Sequence, residues 1–385
     1  MRILSITGNR ADYDLMSYLY KYFNNDPDID FGLIVTGAHL TTGYEASIEA
    51  IKKDGNKIVA KIADIFNSDT RSSRAKSTGV LISGLTDFVD QFNPDIVIAP
   101  GDREEVIAMG IVASYMQIPF VHFFGGDFAE SGHVDNMIRH ASSKMASVHM
   151  VSLEEHKRRL ISLGEDEKSI FNIGSVALDK FKEEPYVCRD DLLKRLGIEE
   201  FSQYALLIYH PPAEIQAENE EISKIMEVLS RKKIKTVVSY PNTDFNNSSI
   251  IKVYEEYKGN DNFFFYKNLD RNTFVNLYRN AAFQIGNSSS GVCEAASIPI
   301  PVINIGTRQK DRGNTENVMY LEDVSYGLEE AIECVMSDEY RQSIKGIKNI
   351  FGDGDSSQRA YELIKKIDFS RWLLKVYDPL KEEAQ

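Results

Sequence analysis

Short runs of aliphatic and β-branched residues alternate along this chain with stretches of helical pattern. In the first half the runs are RILSIT, DFGLIVTG, DIVIAP and FVHFF, interleaved with DLMSYLYKYF and EEVIAMGIVASYM. A strand buried on both faces reads as a continuous apolar run, and a helix between two such strands makes a parallel crossover. The pattern restarts after about residue 180 with YALLIYH, TVVSYP, NFFFYK, AFQIG and PVINIG. It predicts an α/β chain of two Rossmann-like, doubly wound domains, residues 1–178 and 179–363, facing across a cleft. A length of 385 residues, 43% of them hydrophobic, suits two ordinary cores.

In such sheets ligands bind beyond the carboxyl ends of the strands. Here those exits read TGNRAD, TGAH, GDR, GGD, HPP, PNTD, GNSSSG and GTRQ, so glycine, charge and hydroxyl gather where a ligand would lie. Composition narrows the ligand. A net charge of -14, with no basic run longer than Arg231-Lys232-Lys233, argues against nucleic acid. No apolar stretch is long enough to cross a bilayer, and MRILSITG reads as a strand entering a turn, which predicts a cytoplasmic protein without a membrane partner. Cys188, Cys293 and Cys334 are scattered, as small apolar residues would be.

GNSSSGVCEA follows a strand and opens a helical pattern, so N–H groups and the hydroxyls of Ser288, Ser289 and Ser290 can donate to phosphate; the alternative is a serine N-cap. Glu294, one turn on, can accept from ribose hydroxyls, and Arg308 and Arg312 can neutralise phosphate charge. Neither GxGxxG nor GxxxxGK[ST] is present, which argues against NAD and ATP hydrolysis. Arg10 ends the first strand with a guanidinium suited to phosphate. Asp102 is an N-cap, a catalytic carboxylate, or both. His122, His133 and His140 are spaced by eleven and seven residues with no cysteine near them, which is not a zinc pattern. Asp127 and Glu130, on the loop GGDFAESG, suit general acid/base work better. DNMIRH reads as a helix start capped by Asp135, with Arg139 one turn on, and the prolines after His210 suggest a positioned side chain.

Eight motifs in order, GNRADY, GDR, HxxGGD, VDxxIRH, HP, YPNxD, GNSSSG and GTRQ, make the chain resemble the hydrolysing UDP-N-acetylglucosamine 2-epimerases over nearly its whole length. The resemblance implies a fold like that of the GT-B glycosyltransferases, with a C-terminal helix in residues 364–385 crossing back to the first domain. It implies a UDP-sugar substrate, no metal or other cofactor, and a homodimer or homotetramer. Arg10, Arg139, Asn242, Ser288, Ser289, Glu294 and Arg308, which lie in or beside these motifs, and His39 at the TGAH exit would bind substrate and UDP. Asp102, Asp135 and His210 would serve proton transfer or sugar positioning. Many members read H-x-E-G-G-E where this chain has His122-Phe123-Phe124-Gly125-Gly126-Asp127, so Phe124 replaces a glutamate and either Asp127 or Glu130 aligns with the second one. A hydrolysing 2-epimerase of UDP-2,4-diacetamido-2,4,6-trideoxyglucose for legionaminic acid, towards which the apolar Phe124 points, is the first competing expectation; a non-hydrolysing epimerase, a GT-B glycosyltransferase and a UDP-sugar sensor without turnover are the others.

Overall fold

A computed structural model describes residues 1–41, 45–65, 71–128, 134–198, 201–211, 218–241, 247–310, 312–313 and 315–381. The chain forms two compact units, the first built from Met1–Phe128, Val134–Asp179 and the segment from Phe351 onward, the second from Lys180–Ile350.

Among the described residues the first unit holds a seven-stranded sheet of β1 (Arg2–Thr7), β2 (Asp30–Thr36), β3 (Ile58–Ile62), β4 (Ile96–Pro100), β5 (Phe120–Phe123), β6 (Val148–Val151) and β7 (Ile170–Asn172). Their spatial order is β3-β2-β1-β4-β5-β6-β7, with every pairing parallel. The order reverses between β1 and β4, the switch point at which such sheets open toward a ligand. The apolar runs feed two cores by simple alternation. Ile3, Ile96 and Ile98 enter the core under the helices Arg10–Asn25 and Ser356–Lys366, whereas Leu4, Val97 and Ala99 enter the opposite one under Arg71–Phe92 and Glu104–Met116. Each fully buried isoleucine, leucine or valine here contributes on the order of 1.5–3 kcal/mol.

The second unit repeats the plan with β8 (Ala205–Ile208), β9 (Thr236–Ser239), β10 (Phe263–Tyr266), β11 (Phe283–Gly286), β12 (Val302–Ile305) and β13 (Val318–Leu321), in the order β10-β9-β8-β11-β12-β13 and again all parallel. No helix among the described residues is long and apolar enough to cross a membrane.

The end of the chain is tied into the first unit at two places. Asp179 accepts the N–H groups of Ser356 and Ser357, at 3.2 and 2.7 Å, at the start of the helix Ser356–Lys366. Further on, Lys375 donates to Glu165, a carboxylate only 1% exposed, which also pairs with Lys144 at 2.7 Å and accepts from His149 Nε2 at 3.0 Å. Burial works against the Glu165 charge, but the His149 bond and the two lysines outweigh it and hold the carboxyl at about 2. A pKa depressed by folding stabilises above the unfolded value and loses that contribution as pH falls toward the folded one. The stability advantage of the wild type over Glu165→Gln is therefore expected to be about 3 kcal/mol at neutral pH and to vanish between about pH 4.5 and pH 2. Urea melts across that range check it. An advantage that stays constant with pH would contradict the assignment.

Candidate active site

The exits of β4 and β5 meet around one buried arginine. Arg139, on the helix Val134–Met145, is 4% exposed; it pairs with Asp102 from the β4 exit and, at 2.6 Å, with Asp127 from the β5 exit. A guanidinium presents its donors in a planar fork, so one side chain can fix two carboxylates. Asp102 does not cap the following helix: that place belongs to Arg103, which makes no side-chain cap bond. Its carboxylate turns to Arg139 instead. Asp135 sits in the first turn of its helix, half-buried. Glu130 and Asn242 lie outside the described residues.

The β5 exit is shaped by the helix Glu154–Ser162. Gly126 has φ +77°, and a Cβ there would lie 2.3 Å from the His156 carbonyl oxygen, so only glycine fits this approach. Arg159 donates to the Gly126 carbonyl, and His156 Nε2 lies 3.5 Å from Asp127 Oδ1. Burial pushes the His156 imidazole down to about 4, despite the nearby Asp127, so it is neutral at pH 7. Just before this loop, Phe124 takes φ +62°, a left-handed conformation that bulky residues rarely adopt. Its ring packs against the core under Arg10–Asn25.

His122 is a core residue. It is fully buried, with Nε2 2.8 Å from the Gly101 carbonyl and Nδ1 3.1 Å from Ser143 Oγ, and burial pushes its pKa to about 3. It ties the β4 exit to β5 and is neutral at pH 7. His39 is similarly enclosed: Nε2 meets Thr7 Oγ1 at 3.0 Å and Nδ1 meets Ser47 Oγ at 2.9 Å, with burial lowering its pKa to about 4. Both ring nitrogens are thus engaged within the unit. Arg10 opens the helix Arg10–Asn25 behind its cap Asn9, close enough to disfavour a charge on His39.

Asp12, in the same first turn, is held by the Asn9 amide at 2.6 Å. Burial pushes its carboxyl up to about 7; Arg103 opposes this, while Glu105, Glu104 and Asp135 add to it. The motifs singled out neither Asp12 nor His156. The sequence signal for Asp12 was its place in GNRADY, but nothing in the chain pointed to His156.

In the second unit the β8 and β11 exits are locked together. Asn287 Oδ1 accepts from His210 N, and its Nδ2 donates to His210 O, both at 2.8 Å. Gly286 makes this possible, for at φ +138° a Cβ would sit 2.0 Å from the Ile208 carbonyl oxygen. Gln309, from the β12 exit, donates to Asn287 O at 3.3 Å. Ser288 caps the five-residue helix Ser289–Cys293, accepting from Ser290 N at 3.3 Å, while Ser289 is exposed on its first residue. Glu294 closes the helix and is buried against Lys180, and Arg308 is half-buried just past β12. The structure thus gathers His210, Ser288 and Ser289 through Asn287, a residue the motifs contained without assigning it a task.

A family model described as UDP-N-acetylglucosamine 2-epimerase matches residues 21–365. The chain belongs to the UDP-N-acetylglucosamine 2-epimerase family. One relative, a Legionella pneumophila protein named UDP-N,N'-diacetylbacillosamine 2-epimerase (hydrolyzing), is 36% identical over 97% of this chain and 98% of its own length. A Campylobacter jejuni protein named GDP/UDP-N,N'-diacetylbacillosamine 2-epimerase (hydrolyzing) is 34% identical over 89% of each. The fold is that of the family as well. A Neisseria meningitidis UDP-GlcNAc 2-epimerase, solved bound to UDP-GlcNAc, superposes with a TM-score of 0.82 at 19% identity, covering 95% of this chain and 100% of that one. The parallel α/β, GT-B-like architecture expected from the alternation of strands and helices is the architecture of this epimerase family.

Proposed function

We propose that the protein is a hydrolysing UDP-sugar 2-epimerase that converts UDP-N-acetylglucosamine and water into N-acetylmannosamine and UDP. The observation that carries this reading is the nearly full-length likeness, at 36% identity, to a protein named as a hydrolysing 2-epimerase. In the reaction a base takes the proton from C2 while the C1–O bond to UDP breaks, leaving 2-acetamidoglucal. Water then adds its oxygen at C1 as C2 regains a proton on the opposite face. The C2 proton is weakly acidic, so departure of UDP is helped by stabilising its phosphate charge.

Asp102, Asp127 and Asp135 on the first unit and His210 on the second are the proton-transfer and sugar-positioning groups in this reading. Glu130 joins them from the sequence alone. Ser288, Ser289, Glu294, Arg308 and Asn242 hold UDP, and Arg10, His39 and Arg139 serve the substrate. Arg139 also sets the spacing of two carboxylates, and its pairing with both Asp102 and Asp127 supports their joint use. A cytoplasmic homodimer or homotetramer goes with this reading, feeding sialic acid synthesis.

A second reading is favoured by two observations. The Legionella relative is named for UDP-N,N'-diacetylbacillosamine and the Campylobacter one for GDP/UDP-N,N'-diacetylbacillosamine, a 2,4-diacetamido-2,4,6-trideoxy sugar nucleotide of the kind expected for the legionaminic branch. Phe124 also puts an aromatic ring where many members have glutamate, which favours a 6-methyl over a 6-hydroxyl. Phosphorus and proton NMR of reactions with both sugar nucleotides tests the readings together. Free manno sugar plus UDP from either names the substrate, whereas UDP-N-acetylmannosamine without UDP release would replace hydrolysis by simple epimerisation. Phe124→Glu is expected to shift the ratio of kcat/KM for the two sugars by about tenfold toward UDP-N-acetylglucosamine. An unchanged ratio would remove Phe124 from the argument.

A further inference from the structure

The second unit buries a lysine that the proposed chemistry does not use. Lys180, in the short helix Asp179–Glu183, is 4% exposed, and its Nζ lies 3.0 Å from Glu294 Oε2. Glu294 is itself 8% exposed. The ammonium also lies 5.3 Å from the ring centroid of Phe181 and 5.5 Å from that of Phe274. Desolvating two opposite charges costs about as much as their attraction returns, so a pair at this depth is weak evidence for a role in stability. What it does provide is direction. Aromatic faces favour a cation in one place, and the cation in turn restricts the rotamers open to the glutamate.

Glu294 ends the helix Ser289–Cys293, its N–H bonded to the Ser290 carbonyl at 2.9 Å, directly after the loop that carries Ser288 and Ser289. Its backbone is therefore fixed relative to the proposed UDP loop, and only its side-chain torsions remain to be set.

We infer that Lys180 is a positioning residue that holds the Glu294 carboxylate in place to receive the ribose hydroxyls of the nucleotide. The inference rests on the reading of Glu294 as the ribose acceptor of a UDP-sugar enzyme. It assigns Lys180 no contact with the ligand. Nucleotide discrimination, more than overall stability, is what it sets.

The test compares the affinities of UDP and 2'-deoxy-UDP by isothermal titration calorimetry on the full chain, with CD melts to establish folding. The wild type is expected to prefer UDP by about tenfold, the value of one hydrogen bond to a charged group. Glu294→Gln reduces the preference to within about twofold. Lys180→Met does the same, whereas Lys180→Arg, which keeps the charge, restores at least half of the preference on a logarithmic scale. If Glu294→Gln keeps the tenfold preference, the ribose reading of Glu294 falls, and the inference falls with it. If Glu294→Gln loses the preference and Lys180→Met keeps it, the reading stands and the inference alone is overturned.

Lys180→Met leaves a buried carboxylate unpaired and can fail to fold. Lys180→Met/Glu294→Gln removes both charges and is compared with Glu294→Gln alone. Equal UDP affinity supports the inference, since Lys180 then acts only through Glu294. A further tenfold loss in the double variant, absent for uridine, would show that Lys180 meets the phosphates itself and would overturn it.

Discussion

Asp102→Asn is expected to lower kcat by about 10²- to 10⁴-fold while the protein stays folded. The amide has nearly the volume of the carboxylate, and its oxygen can still accept from Arg139. Arg139 meanwhile keeps Asp127 at 2.6 Å. The structural cost is then the difference between a charged and a neutral hydrogen bond, about 1 kcal/mol. The chemical cost is larger, because an amide can neither take the C2 proton nor return one. KM is expected to move little, since the proposed UDP contacts of the second unit are untouched. Steady-state release of UDP measures both constants. A kcat within threefold of wild type would reduce Asp102 to a holder of Arg139.

Arg139→Met should cost about 3 kcal/mol of stability, along with a loss of activity at least as large as that of Asp102→Asn. Removing the guanidinium takes away the cation that Asp102 and Asp127 share. Their side chains are 20% and 15% exposed, so water relieves part of the penalty, and the lower end of the range for a broken buried pair applies. Arg139→Lys restores the charge but cannot fork to two partners, so it should recover stability more than activity. Urea melts and turnover assays on the same preparations separate the two effects. A methionine variant as stable as wild type would mean that the carboxylates do not depend on this bridge.

Apolar runs in the sequence made most strands of both sheets legible. DIVIAP became β4 because each of Ile96–Pro100 is buried and alternate residues serve different cores. The strands that escaped are short or at edges: β3 (IVAKI) and β13 (VMYL) are edge strands, β6 is the four residues VHMV with a histidine inside, and β7 is the three residues IFN at the other edge of its sheet. At the site, local motifs placed residues on the correct exits but could not say where side chains turn. Asp102 read equally well as a cap and as a catalytic group, and Arg139, a helix and a strand away, decided against the cap. At His39, likewise, the motif could not show that Thr7 and Ser47 meet the two ring nitrogens. His156 and Lys180 lay outside every motif because their partners, Asp127 and Glu294, are distant in sequence.

The most direct test of the account is NMR of the reaction run in deuterated water. Abstraction at C2 followed by reprotonation from solvent predicts that the free manno sugar carries deuterium at C2, with one UDP released for each sugar. A free sugar that keeps its original C2 proton would contradict the elimination and hydration on which the assignment of Asp102, Asp127 and Asp135 depends.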